Sequence, residues 1–122
     1  MNLIGALTVF IGGGIGSLLR FGMSHFFKSF SSSALPYATL SSNILSTALL
    51  GWVFYKLSPA SHPTLYLFLA IGLCGGFSTF STFSLETFQL IKNGQTFWAI
   101  ANVTVSIVAC ITILFLISKS LK

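Results

Sequence analysis

The chain has 122 residues, 54% of them hydrophobic and 6% charged, where a soluble domain carries about a quarter charged. So few charges cannot wet the surface of a water-soluble particle. With Glu86 as the single acidic side chain against five lysines and Arg20, the paired carboxylates of acid–base or hydrolytic enzymes are missing too, and composition points to a bilayer.

The net charge of +5 invites a nucleic-acid reading, but Arg20, Lys28, Lys56, Lys92, Lys119 and Lys122 stand one at a time, and such binding needs a clustered basic face. Cys74 and Cys110 lie in apolar stretches outside any CxxC or Cys/His arrangement and read as small buried hydrophobes.

Uncharged stretches run Asn2–Leu19, Tyr37–Tyr55, Thr64–Leu85 and Phe97–Ser118. A helix needs about 20 mainly apolar residues to cross hydrocarbon, so four transmembrane helices is the economical count. The first stretch has no basic n-region, contains Gly12, Gly13, Gly14 and Gly16, and continues through Arg20 to Phe27, which reads as a retained helix rather than a signal peptide. Pro36, Pro59 and Pro63 all fall between spans, as residues that break a helix ladder should. The connections are then 28–36, 56–63 and 92–96, and the serines Ser31, Ser32 and Ser33 read as a solvated connector. The whole chain forms one four-helix domain, residues 1–122.

Orientation follows the excess of Lys and Arg on the cytoplasmic side. One face of the four-span arrangement receives Lys56, Lys119 and Lys122, the other Lys28, Lys92 and, if it reaches the interface, Arg20, about three against three. A chain without bias is expected to insert both ways up, and two oppositely oriented copies to pair as an antiparallel dimer.

Several pattern matches carry no chemistry. The run Gly12-Gly13-Gly14-Ile15-Gly16-Ser17 nearly fits a dinucleotide fingerprint, but it follows no strand and sits inside an apolar helix. Its Gly12-xxx-Gly16 and Gly13-xxx-Ser17 spacings instead suit close packing of membrane helices. Asn102-Val103-Thr104 is a glycosylation sequon at mid-span, and His25 and His62 have no second ligand at metal spacing. Two residues keep two readings each. Glu86 is either an interfacial carboxylate or a functional one; Arg20 either snorkels to the headgroups or adds positive potential at the mouth of an anion path.

The uncharged hydrogen-bonding residues inside the spans are more informative. Thr39, Asn43 and Thr47 recur every four residues with Ser46 beside them, and Asn102, Ser106 and Cys110 share that spacing, so each set falls along one helical face. Single residues of this kind serve as interhelical glue, but two full stripes describe a polar path. Asn43 stands out because an amide at mid-span is costly without a partner. In the third span, Gly75-Gly76 followed by hydroxyl and β-branched residues is poor continuous helix. A break there frees backbone groups at membrane depth, as in ion sites built on discontinuous helices, although a Gly-mediated packing kink is the alternative. Phe80 and Phe83 are neighbours on one face if helix resumes, and the positive edges of aromatic rings can line an anion's path without a trapping charge. Such a lining suits a small, strongly hydrated anion, fluoride better than chloride.

These residues resemble the Fluc (CrcB) fluoride channel family, small membrane proteins that export fluoride from bacteria. The resemblance covers essentially the whole chain. It rests on Gly12-Gly13-Gly14-Ile15-Gly16-Ser17-Leu18-Leu19-Arg20-Phe21, on Thr39-Leu40-Ser41-Ser42-Asn43, and above all on Gly75-Gly76-Phe77-Ser78-Thr79-Phe80-Ser81-Thr82-Phe83-Ser84-Leu85-Glu86. It implies an all-α membrane protein of the bacterial inner membrane, with four transmembrane helices per subunit and a break in the third. Two copies would form an antiparallel dual-topology homodimer with two pores at the interface, and a structural sodium ion on the two-fold axis. By motif position, Phe80 and Phe83 match the paired pore phenylalanines, Asn43 the pore asparagine, and Ser81 and Thr82 the hydroxyls beside them. Ser106, with Asn102 and Cys110 on its stripe, corresponds to the polar track, and Arg20 to a vestibule residue. Glu86 matches the position after the phenylalanine motif, and the carbonyls of Gly75 and Ser78 match those that hold sodium. Ser42, Ser46 and Cys110 depart from the usual valine, glycine and hydroxyl. The resemblance implies passive fluoride export that lowers cytoplasmic fluoride toxicity, with fluoride ion, lipid and a second copy as partners and no enzymatic chemistry. A small multidrug-resistance-type proton-coupled antiporter using Glu86 is the alternative, though that family works through a carboxylate in its first span.

Overall fold

The computed structural model describes residues 1–32 and 35–122; Ser33, within the expected polar connector, lies outside the described residues. The described chain is all helical, with no strand. Helix α1 spans Leu3–Lys28. It starts where the side chain of Asn2 accepts a hydrogen bond from the Gly5 amide at 2.7 Å, and it ends with His25 and Lys28 in its last turn, where positive charge suits exposed carbonyls. Helix α2 spans Tyr37–Lys56 behind Pro36.

The third membrane segment is the irregular one. Helix α3 (Pro63–Tyr66) carries Pro63 in its first turn, where the missing amide costs nothing. It runs into a π-helical stretch, Leu67–Leu73, and then α4, Cys74–Phe77. The break that Gly75-Gly76 forecasts falls just after them: Ser78 (φ −79°, ψ 157°) and Thr79 (φ −153°, ψ 123°) are extended. Helix α5, Phe80–Lys92, restarts at once because the Thr79 hydroxyl caps it, accepting from the Thr82 amide at 3.2 Å. At its far end Gly94 adopts φ +76°. The amides of Gly94 and Gln95 turn back onto the carbonyls of Ile91 and Leu90, the Schellman arrangement for which a glycine is suited. Helix α6 spans Thr96–Ser120.

Three of these segments, Leu3–Lys28, Pro63–Lys92 and Thr96–Ser120, are long and apolar enough to cross a membrane. The expected span at Tyr37–Tyr55 is not among them, and the reason is its own polar stripe. Thr39, Ser42 and Ser46 are buried inside the protein, so α2 trades hydropathy for contacts with its neighbours.

Glycines set the packing of α1. Helix α1 crosses the π stretch and α4 backbone to backbone: a Cβ at Gly12 would stand 2.5 Å from the Phe68 carbonyl oxygen, and one at Gly16 would overlap the carbonyl oxygen of Leu73. From the other side, a Cβ at Gly72 would meet Gly12 Cα at 3.0 Å, and one at Gly76 would overlap the carbonyl oxygen of Gly13. Two small-xxx-small pairs, Gly12/Gly16 and Gly72/Gly76, therefore face each other, which is how membrane helices gain dispersion contact without a hydrophobic drive. The buried set is correspondingly small and mixed: Val53, Ala70, Cys74, Phe77, Leu90 and Ala99, with Thr39, Ser42, Ser46, Asn102 and Ser106. Large apolar side chains such as Phe10, Phe21, Phe97, Ile100 and Phe115 point outward, as they should in hydrocarbon.

Candidate functional site

The helix break is held by α2. Asn43 clamps Thr79 at both backbone groups: its Oδ1 accepts from the Thr79 amide at 2.8 Å, and its Nδ2 donates to the Thr79 carbonyl at 3.3 Å. One turn along, Ser46 Oγ donates to the Cys74 carbonyl at 2.9 Å. That oxygen also receives the Ser78 hydroxyl at 2.8 Å and the Ser78 amide at 3.0 Å. One turn the other way, Thr39 Oγ1 donates to Glu86 Oε1 at 2.8 Å. The α2 stripe is thus a brace of three rungs across the break, meeting the demand that irregular backbone at membrane depth be satisfied by protein.

Beside the break, a groove of about 330 Å³ is lined by Asn43, Thr47, Ser78, Thr79, Phe80, Phe83, Ser106, Ile107 and Cys110. The Phe80 and Phe83 rings stand 5.9 Å apart, tilted by 37°. Phe80 is 79% exposed at the end of the groove, much like the outward-facing Phe10 and Phe97. Ser106 is 7% exposed, and its hydroxyl oxygen is itself buried, with no hydrogen-bond partner among the described residues. The groove therefore offers hydroxyls, a thiol and two aromatic rings, with no charged side chain in its lining.

Not every expected site residue joins it. Ser81 is exposed and Thr82 half-buried. The Ser81 hydroxyl lies 3.4 Å from that of Thr79, and the recorded bond of Thr82 is its amide to the same threonine; neither lines the groove. Asn102, first in the α6 stripe, instead bonds Thr87 Oγ1 of α5 at 2.9 Å. Of that stripe, Ser106 and Cys110 face the groove. Asn43 borders it too, but with its amide engaged on Thr79.

For Arg20, which carried two sequence readings, the structure gives one contact: Nε donates to the Gly76 carbonyl at 3.2 Å. This ties α1 to the end of α4, where helix carbonyls favour a cation. Around it the break's carbonyls divide. The oxygens of Cys74 and Gly76 are bonded, while those of Gly75 and Ser78 receive no recorded hydrogen bond among the described residues. Glu86 borders a separate cleft of about 190 Å³ with Ser24, Phe27, Lys28 and Tyr37; its Oε2 is buried, with no hydrogen-bond partner among the described residues. Among the described residues no cluster of His, Cys, Asp or Glu could hold a metal.

Comparison with known proteins finds related sequences over most of the chain. The family described as CrcB-like protein, Camphor Resistance (CrcB), matches residues 7–117. A protein of Citrifermentans bemidjiense named fluoride-specific ion channel FluC is 43% identical over 102 residues, 82% of each chain. Proteins of that name from Leptospira interrogans and Pyrococcus horikoshii are 39% and 41% identical. The first match covers 89% of this chain and 87% of the relative, the second 87% and 86%. These relatives are named as channels, a non-enzymatic class, and the apolar helices make this a multi-pass membrane protein. The chain belongs to the CrcB family.

Proposed function

We propose that the chain is a subunit of a fluoride-selective channel that lets fluoride leave the cytoplasm down its electrochemical gradient, relieving fluoride toxicity. The observation that carries this reading is the groove's chemistry: neutral hydroxyl donors, an unpartnered buried Ser106 and the paired Phe80 and Phe83 rings, with no charge. A dehydrating anion needs many short hydrogen bonds, but a fixed cation among them would hold it too long for conduction. Ring edges offer weak positive potential instead. The name borne by the relatives, fluoride-specific ion channel, supports the choice of ion.

In this reading α2 is the fourth span. Its 20 residues reach about 30 Å at 1.5 Å per residue, and its polar face is covered by the broken third segment. Two copies pair antiparallel in the inner membrane of a bacterial cell, closing two pores along the grooves. The unbonded carbonyls of Gly75 and Ser78 fit a hard monovalent cation such as sodium, whose ligands are neutral oxygens. One chain supplies two of them, and a two-fold axis would double the set. When bound, the ion would add positive potential that favours anions nearby. Arg20 and Ser46 hold the adjacent carbonyls and leave those two free. The antiporter alternative draws nothing from the groove, because Glu86 lies outside its lining.

The test is Phe83→Ile in liposomes, with fluoride efflux read by electrode. The variant is expected to remain a folded dimer and lose most of its flux; undiminished flux would remove Phe83 from the pore.

A further inference from the structure

We propose that Asn43 is a positioning residue for the sodium site: by holding the Thr79 amide it turns the Ser78 carbonyl, one of the ion's ligands, away from α2. The inference rests on the reading of the Gly75 and Ser78 carbonyls as sodium ligands.

The Ser78 carbonyl and the Thr79 amide belong to one peptide unit. No peptide bond among the described residues is cis, so the two groups lie in one plane and point in opposite directions. Asn43 Oδ1 accepts from the amide at 2.8 Å, which fixes the amide toward α2 and the carbonyl to the other side. There the carbonyl accepts no hydrogen bond among the described residues. Without Asn43 the plane would turn on the two soft torsions that flank it, ψ of Ser78 (157°) and φ of Thr79 (−153°). Two further bonds hold Thr79 still: Asn43 Nδ2 donates to its carbonyl at 3.3 Å, and its Oγ1 accepts from the Thr82 amide at 3.2 Å. Gly75 needs no such device, because it lies within α4; it is exposed on the single subunit, and a Cβ there would meet nothing within 4 Å. Asn43 therefore serves two sites at once. It borders the groove, and one peptide unit carries its grip to the cation ligand, as outer-shell groups orient the ligands of other metal sites.

The experiment uses the full-length protein, purified in detergent with a radioactive sodium tracer as its sodium and diluted into unlabelled sodium. Bound tracer is counted over time after rapid gel filtration, and thermal midpoints are taken in parallel. Asn43→Ala is expected to release the tracer at least about tenfold faster than wild type, the usual loss when an outer-shell partner is removed. Asn102→Ala, which takes the bond from Thr87 between α5 and α6, is the destabilised control, expected to lower the midpoint and release tracer at the wild-type rate. Wild-type release from Asn43→Ala overturns the proposal, as does equal acceleration in both variants, which would mean general loosening. Wild type that holds no tracer overturns the sodium reading, and this proposal with it. If Asn43→Ala does not fold, the wild type decides. Exchange of sodium for N-methyl-D-glucamine is then expected to shift the side-chain amide resonance of Asn43 and leave that of Asn102, and an unmoved Asn43 resonance overturns the proposal.

Discussion

The Asn43 amide is the costliest polar group in α2, and it is spent on backbone. Both polar atoms of its side chain meet Thr79, and truncation removes both bonds from the half-buried wall of the groove. Asn43→Ala is therefore expected to destabilise the protein by about 1–3 kcal/mol, two hydrogen bonds at about 0.5–1.5 kcal/mol each. Ser46→Ala removes one of three donors to the Cys74 carbonyl, and about 0.6 kcal/mol is the expected loss for such an interhelical bond. Denaturation in detergent micelles checks the order; equal losses would mean that Asn43 is not holding the break. The need for a partner was legible in the sequence, since an amide at mid-span demands one. Its identity was not, because Thr79 lies 36 positions away and spacing within α2 says nothing about what faces it. The same holds for Arg20, whose bond to Gly76 crosses 56 positions.

Among the elements, the third segment shows what local sequence can and cannot reveal. Gly75-Gly76 with the hydroxyl run after it marks a break, and the extended Ser78 and Thr79 lie where the glycines give way to that run. The π stretch Leu67–Leu73 left no such mark, since apart from Gly72, which faces α1, its residues are ordinary apolar ones. The glycines of α1 were legible as a packing face, while the register, Gly12 and Gly16 against Gly72 and Gly76, needed both helices at once. Backbone cannot step aside as a flexible side chain can, so Gly16→Ala is expected to cost about 1–3 kcal/mol by overpacking. Gly22→Ala, with nothing within 4 Å of the added carbon, should stay within about 0.5 kcal/mol. Thermal unfolding of the two variants in one detergent makes the comparison, and similar midpoints would contradict the backbone contact.

For the whole molecule, charge and exposure bear on assembly. If four helices span, Lys56, Lys119 and Lys122 fall on one face and Lys28 and Lys92 on the other, with Arg20 held on the Gly76 carbonyl, so the bias is small, and the groove lies open on one subunit with Phe80 at its edge. Pairing of oppositely oriented copies is the expected consequence. Accessibility of tags on both termini, measured in intact cells and inverted vesicles, should show each terminus on both sides, and a single orientation throughout would exclude it. The sparse charge that marked the chain as a membrane protein also describes its groove, where neutral donors replace the fixed cations that would bind an anion and keep it. The most direct measurement is efflux from liposomes loaded with fluoride or with chloride under the same gradient. Rapid fluoride efflux with chloride retained is the predicted result, and chloride leaving as readily as fluoride would contradict it.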